Sequence, residues 1–132
     1  MSTKPLFLLL SSGEHEKIQM AAMMASVAAV SERPVQVFVS MNAFLAFKKG
    51  LAADERYRGG TFSKLMLEKK APDAIGLFGQ GKELGDLSMY ACSMALDVSG
   101  LEMSDLVDDL FDGPLGLTKF LSDAESGDLV VL

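Results

Sequence analysis

The chain has 132 residues and 49% hydrophobic residues, which fits one domain over residues 1–132 with a core of its own. Its formal net charge of -6 argues against nucleic acid or an anionic membrane surface as the main partner. Every apolar block is shorter than the roughly 20 residues of a membrane span, so no membrane span is predicted.

The first part of the chain predicts a β-α-β unit. Leu6 to Leu10 and Val35 to Ser40 are continuous apolar runs, which suit strands buried on both faces. Between them, Glu14 to Val30 is rich in helix formers and begins with acidic residues that complement a helix N-terminus.

The predicted first helix is apolar almost all the way round. From residue 18 to residue 30 only Gln19 and Ser26 are polar, whereas a surface helix shows one wet face. One side can pack on the sheet, which leaves a second apolar side for another subunit or for the chain's own loop region. The candidates for this second buried surface are Met20, Met23, Met24 and Val27.

The middle of the chain predicts shorter elements. Asn42 to Lys49 suits a brief helix, and residues 51–62 read as a mobile, charged loop. Thr61 is expected to cap a helix that runs through Lys70. Pro72 then opens a helix that ends at Gly85, and this glycine suits a left-handed C-terminal cap.

The last third predicts a strand over Leu87 to Ala91, a helix from Ser93 to Val98, a helix from Pro114 to Ala124, and a final strand over residues 128–132. The alternation of strands and helices predicts an α/β sandwich with a mainly parallel sheet.

Cys92 is the only cysteine, which excludes an intrachain disulfide and the usual multi-cysteine zinc cage. Together with the lack of a signal peptide it predicts a free thiol in a reducing cytoplasm. Cys92 ends a predicted strand, where ligands gather in α/β sheets, and a helix beginning near Ser93 favours the thiolate. The alternative is a small hydrophobe that fills the core.

A second candidate site is 11-SSGEHEK-17. Ser12 and Gly13 can present donors to an anion at a helix N-terminus, and His15 can exchange a proton with a nearby group. The same residues also suit ordinary turn and capping chemistry with a solvated histidine. Arg56 and Arg58 suit either an anionic partner or a solvated loop. No metal site is predicted.

The glycines of 76-GLFGQGKELG-85 have GxGxxxG spacing, one residue longer than the dinucleotide fingerprint. They also do not lie between a strand and its helix. They are expected to lie in a helix that packs closely on a neighbour.

Three stretches resemble the DsrE/DsrF-like family (DsrE/DsrF/DsrH-type sulfur relay), in particular its peroxiredoxin-like branch. They are 12-SGEHEKIQMAAMMASVAAV-30 after the opening strand, 35-VQVFVSMNAF-44 and 83-ELGDLSMYACSMALDVSGL-101. The resemblance implies a three-layer α/β/α sandwich with a sheet of about five strands, assembled as a homo-oligomeric trimer or hexamer.

The resemblance also implies sulfur transfer through a persulfide on Cys92, with no cofactor or metal. The partners would be sulfur donor and acceptor proteins or small persulfides. From their positions in the chain, Ser12, Gly13, His15 and Ser93 are the candidate substrate-binding residues, with Ser12 and Ser93 as hydrogen-bond donors and His15 as a proton-transfer group. The peroxiredoxin label is discounted because the chain has no resolving cysteine. Two other functions stay open: a non-catalytic oligomeric module that binds a small anion or regulates, with Cys92 buried, and a thiol peroxidase that forms a sulfenic acid.

Overall fold

The computed structural model describes residues 4–132. One sheet contains five strands, and every neighbouring pair is parallel. In chain order the strands are β1 (Leu6–Leu10), β2 (Val35–Val39), β3 (Leu87–Cys92), β4 (Gly113–Leu115) and β5 (Asp128–Val131). Their spatial order is β4-β3-β2-β1-β5. The predicted α/β class and the mainly parallel sheet are confirmed.

Seven α-helices connect the strands within residues 4–132. They are α1 (His15–Val30), α2 (Met41–Leu45), α3 (Ala53–Arg56), α4 (Thr61–Glu68), α5 (Ala74–Leu84), α6 (Ser93–Ser99) and α7 (Leu117–Ala124), with a short 3-10 helix at Met103–Asp105. No helix of this described part is long and apolar enough to cross a membrane.

The sheet is the middle of three layers. On one side Phe120 of α7 packs against Phe7 and Phe38, with ring centroids 6.0 and 5.0 Å apart. Because side chains alternate along a strand, Leu8 and Val37 face the other side, where they are fully buried. Helices α1 and α5 pack on each other and on the strands there. The three-layer α/β/α arrangement follows from these two opposite faces.

The strand β4 lies where the sequence predicts the start of a helix. Pro114 is in this strand, and Leu115 pairs with Cys92 of β3. Because β4 is an edge strand, it pairs with β3 on one side only, and a proline without an N–H group is tolerated there. Helix α7 begins only at Leu117, so the predicted helix start is wrong by three residues.

The predicted mobile loop over residues 51–62 is also wrong in part. Residues 53–56 form the one-turn helix α3. The Arg56 guanidinium donates hydrogen bonds to the carbonyls of Ala46 and Lys48, which lie just beyond α2. Arg56 therefore satisfies carbonyl groups of the chain itself rather than recruiting an anionic partner.

Two predicted helix starts differ from the structure. The cap of α4 is Gly60, and Thr61 is its first residue. Helix α5 begins after Asp73, whose carboxylate accepts a hydrogen bond from Gly76 N at 3.0 Å. Pro72 therefore precedes the helix, because an aspartate side chain satisfies free N–H groups that a proline cannot.

Gly85 ends α5, but the predicted left-handed cap is wrong because its φ is -153°, in the extended region. The reason for glycine is space: a Cβ at this position would lie 2.2 Å from the carbonyl oxygen of Ala29 in α1. A Cβ at Gly81 would lie 2.9 Å from Leu87 Cδ2 at the start of β3 and 3.4 Å from Ser26 Cα in α1. The expected close packing of this glycine helix on a neighbour is confirmed.

Substituting alanine at two glycines of this region tests the close approach. We expect Gly85→Ala to lower the free energy of unfolding by about 1–3 kcal/mol, because backbone must move to admit the methyl group. Gly79→Ala is the matched control, since its Cβ meets nothing within 4 Å. Alanine there is expected to raise stability by about 0.5–1 kcal/mol. Urea unfolding followed by circular dichroism measures both, and equal effects would contradict the packing argument.

Candidate functional site

Three small polar residues stand side by side at the carboxyl edge of the sheet. Leu10 pairs with Val39, and Val39 pairs with Ala91. The next residues along the three strands are Ser11, Ser40 and Cys92. Neighbouring strands are about 4.8 Å apart, so this register places the three residues in one row. The carboxyl edge is where α/β sheets hold ligands.

Cys92 is 5% exposed and lines a pocket of about 410 Å³. Alternation along the strands puts the cysteine on the same face as Leu9 and Phe38, which is the face covered by α7. Both of these side chains also line the pocket, and Leu117 at the start of α7 lies against it. The thiol is therefore held inside the fold but next to open space.

Cys92 is also the residue that precedes α6, as the sequence predicts. It makes no side-chain capping hydrogen bond to the helix. Ser93, the first residue of α6, is exposed and lines the same pocket. The structure thus brings Cys92 and Ser93 together, as expected for two adjacent residues of one site.

Ser40 is a pocket residue that the sequence analysis did not single out. It lines the Cys92 pocket and is 5% exposed. Its side chain makes no capping bond to α2, because the N–H of Ala43 donates to the carbonyl of Ser11 instead, at 3.2 Å. The sequence carries a positional signal for it, since Ser11, Ser40 and Cys92 each lie at the carboxyl end of a buried apolar run.

Ser12 and Gly13 line a different pocket, of about 620 Å³, with Asn42 and Arg58. Ser12 Oγ accepts a hydrogen bond from Glu14 N at 3.1 Å. The first N–H of α1 is also occupied, because His15 N donates to the carbonyl of Arg58 at 2.9 Å. The turn alternative therefore describes these residues: Ser12 closes a turn with Glu14, and Glu14 precedes α1 without a side-chain capping bond.

His15 lies in a third pocket, of about 210 Å³, rather than beside Cys92. The ring is 3% exposed, stacks on Tyr57 with centroids 4.4 Å apart, and shares a 2.7 Å hydrogen bond from Nδ1 with Ser63 Oγ. Burial lowers the pKa of His15, and the nearby Glu16 carboxylate counters only part of this effect. His15 is therefore a buried, neutral packing residue and not a solvated one.

The Tyr57 ring links His15 to the start of α5. Its hydroxyl donates to Asp73 Oδ1 and accepts a hydrogen bond from Ile75 N at 3.2 Å. Burial raises the pKa of Tyr57, and the bond to Asp73 adds to the increase. The phenol is held in its neutral form, as a structural donor.

The Glu16 carboxylate, next to His15 in the first turn of α1, caps the start of α4. Its Oε2 accepts hydrogen bonds from Gly60 N at 2.9 Å and Ser63 N at 3.1 Å, at the start of α4. A Cβ at Gly59 would lie 2.1 Å from Oε1 of the same carboxylate, so the glycine leaves room for it. One helix thus supplies the capping carboxylate of another.

The part of the chain that the structure describes contains no cluster of metal-ligating side chains. Within residues 4–132 no group of three or more histidine, cysteine, aspartate or glutamate side chains can hold a metal ion.

Comparisons with known proteins support the fold. No family model matches the chain. The uncharacterized protein YrkE of Bacillus subtilis (strain 168) is 24% identical, over 95% of this chain and 94% of YrkE. The solved structure of MTH1491, a protein of unknown function from Methanobacterium thermoautotrophicum, has a TM-score of 0.64 at 12% identity and covers 98% of this chain and 99% of that chain. This likeness shows a shared α/β fold.

The protonation state of His15 gives a pH-dependent stability. His15 is the chain's only histidine. Because its pKa is lowered in the fold, the unfolded chain takes up a proton below the ordinary pKa of about 6.5 while the folded chain does not. The contribution of His15 to the free energy of unfolding is therefore complete above about pH 6.5. It decreases as the pH falls below this value, by at most about 1.4 kcal/mol per pH unit.

Urea unfolding at several pH values between 5 and 7 measures this slope, and His15→Gln is the matched variant. The variant is expected to be less stable at neutral pH but to lack the slope. Backbone N–H groups, its own first among them, lower the pKa of Glu16, so the contribution of this carboxylate is lost only in more acidic solution. An unchanged slope in the variant would contradict a neutral, buried His15.

Proposed function

We propose that this protein is a small cytoplasmic sulfur-relay protein that accepts sulfane sulfur as a persulfide on Cys92 and passes it on. The observation that carries the proposal is the position of the chain's one thiol, at the carboxyl end of a central strand and against a pocket. The resemblance of the strand-ACSM-helix segment to the DsrE/DsrF-like family supports the same residue. A single free thiol is also compatible with a reducing compartment.

Loading requires one thiol-persulfide exchange. The Cys92 thiolate attacks the outer sulfur of a donor persulfide RS–SH. A new bond joins Cys92 Sγ to that sulfur, the donor's S–S bond breaks, and the donor leaves as RS⁻. The product on the protein is Cys–S–SH, so no separate oxidant or reductant is consumed.

Transfer is the same exchange in the opposite direction. An acceptor thiolate attacks the outer sulfur of the Cys92 persulfide, and the Cys92 thiolate is the leaving group. The pocket of about 410 Å³ has room for the added sulfur atom and for the reacting end of a donor or acceptor. The partners in this scheme are sulfur donor and acceptor proteins or small persulfides.

We also propose that the protein acts as a homo-oligomer. The outer side of α1 carries Met20, Met23 and Val27, which are 48%, 44% and 66% exposed. Met24, the fourth predicted residue of this surface, is partly buried against the chain's own core. A contiguous exposed apolar surface of this kind favours association with another copy.

The first test of the function is intact-protein mass spectrometry after incubation with a sulfane-sulfur donor. The wild type is expected to gain about 32 Da, the mass of one sulfur, in a form removed by reduction. Cys92→Ser is expected to show no gain while keeping its circular dichroism spectrum, because the side chain is close to isosteric. A gain retained by the variant, or absent from the reduced wild type, would reject the scheme.

A binding module with a buried cysteine is the second candidate, and the low exposure of Cys92 favours it. Its small anion would bind beside Arg58 in the pocket that Ser12 and Gly13 line, on the side away from Glu14 and Glu55, which line the same space. Alkylation separates the two functions. A carrier thiol is expected to react with iodoacetamide in the native state, whereas a thiol sealed in the core reacts only after denaturation.

The oligomer is tested by placing a charge on the outer side of α1. We expect Val27→Lys to shift the sedimentation coefficient towards that of the monomer, because an unpaired ammonium cannot be buried at low cost. Val98→Lys is the control, since Val98 is exposed on α6, outside this surface. An unchanged sedimentation coefficient in Val27→Lys would place any interface elsewhere.

A further inference from the structure

The Cys92 pocket has a chemical character that restricts what can enter it. Five of its lining residues are apolar, and none of the described residues that line it is charged. The apolar residues are Leu9, Phe38, Met41, Met94 and Leu117. A carboxylate that enters this space loses part of its water and finds no cation in the lining, so its entry is unfavourable.

Within residues 4–132, two hydroxyl groups of the pocket have no hydrogen-bond partner, those of Ser40 and of the exposed Ser93, and Ser40 is the buried one of the two. Ser40 is more than nine-tenths buried, lines the pocket, and has no capping hydrogen bond to α2. No other hydrogen bond to its side chain is present within residues 4–132. The Ser40 hydroxyl is not sealed within the core but opens onto the pocket, so it is free to donate a hydrogen bond to a polar atom of a ligand there.

The strand register puts this hydroxyl beside the thiol. Ser40 follows Val39, Cys92 follows Ala91, and Val39 and Ala91 are paired. The side chains of Ser40 and Cys92 therefore leave neighbouring strands at the same level and on the same face. A sulfur atom that reacts with Cys92 would lie within reach of the Ser40 hydroxyl.

We propose that the Cys92 pocket selects organic persulfides whose organic group is apolar and uncharged, with the reacting sulfur held by a hydrogen bond from Ser40. This inference rests on the proposed function and names the substrate class of the same site. The hydrocarbon group of the donor packs on the apolar lining, and the attacked sulfur accepts the Ser40 hydrogen bond. The donor's S–S bond breaks as the bond to Cys92 forms, as in the exchange above.

The test compares two donors that differ only in one remote carboxylate: benzyl persulfide and para-carboxybenzyl persulfide. Loading rates are measured by intact-protein mass spectrometry and divided by the rates of a free reference thiol, N-acetylcysteine amide, with the same donors. We expect the protein to prefer benzyl persulfide over the carboxylated donor by about tenfold more than the reference thiol does, because the remote carboxylate is desolvated in the pocket.

Charge variants on α7 locate the selectivity. Leu117→Lys puts an ammonium at the pocket and is expected to reduce or reverse the preference for benzyl persulfide. Leu121→Lys is the matched control, because Leu121 is one turn further along α7, is similarly exposed and does not line the pocket. The control is expected to keep the wild-type preference.

Ser40→Ala tests the hydrogen bond. We expect slower loading by several-fold with benzyl persulfide and an unchanged free energy of unfolding, because the hydroxyl has no partner within the fold. A protein preference equal to that of the reference thiol, or an unaltered rate in Ser40→Ala, would overturn the inference while leaving sulfur transfer in place. Loading by neither donor would reject the proposed function and this inference with it.

Discussion

The close contact between α1 and α5 is the constraint on which the other elements depend. The buried side of α1 consists mainly of alanines, and α5 meets it with Gly81 and Gly85, where a Cβ would collide with α1 or with the start of β3. Small residues on both helices let the backbones approach, so both helices reach the sheet and cover one face of it together. Gly85 lies only two residues before β3, so the same contact fixes where that strand begins. The strand's opposite end then carries Cys92 to the pocket.

The N-terminal turn of α1 serves a second structural purpose. His15 contacts Tyr57 and Ser63, and Glu16 caps α4, so one turn of helix holds the segment between residues 57 and 63. Polar residues that look available for chemistry in the sequence are thereby consumed by internal hydrogen bonds. At the neighbouring strand ends the reverse holds, since the backbone satisfies the Ala43 N–H and leaves the Ser40 hydroxyl open. Whether a polar side chain is available to a ligand therefore depends on the hydrogen bonds that the fold already makes to it, and not on its residue type.

Local sequence patterns predict the long buried elements of this fold, but not the contacts between distant residues. The buried strands β1, β2 and β3 and the long helix α1 follow from continuous apolar runs and helix formers, and the location of Cys92 at a strand end follows from them. β4 has only three residues and contains Pro114, so its pattern is too short to separate from the helix that follows. The environments of His15 and Gly85 depend on residues far away in the chain, such as Ser63 and Ala29, and local patterns hold no information about them. The position of Ser40 beside Cys92 depends on the register between β2 and β3, which a single strand pattern does not contain.

A thiol enclosed by apolar side chains has consequences for a sulfur carrier. In the proposed scheme, a persulfide on Cys92 would project into a space lined by Leu9 and Phe38. Release then requires an acceptor that reaches into the pocket. Its mouth offers apolar contacts for that purpose, because Met41 and Met94 line both this pocket and an adjoining apolar one that extends to Val98. Met41 is held there at a φ of 52°, a conformation that costs a methionine about 1 kcal/mol or more and that the packing around it must sustain. The same two methionine side chains therefore border the space next to the thiol and the apolar surface around its mouth.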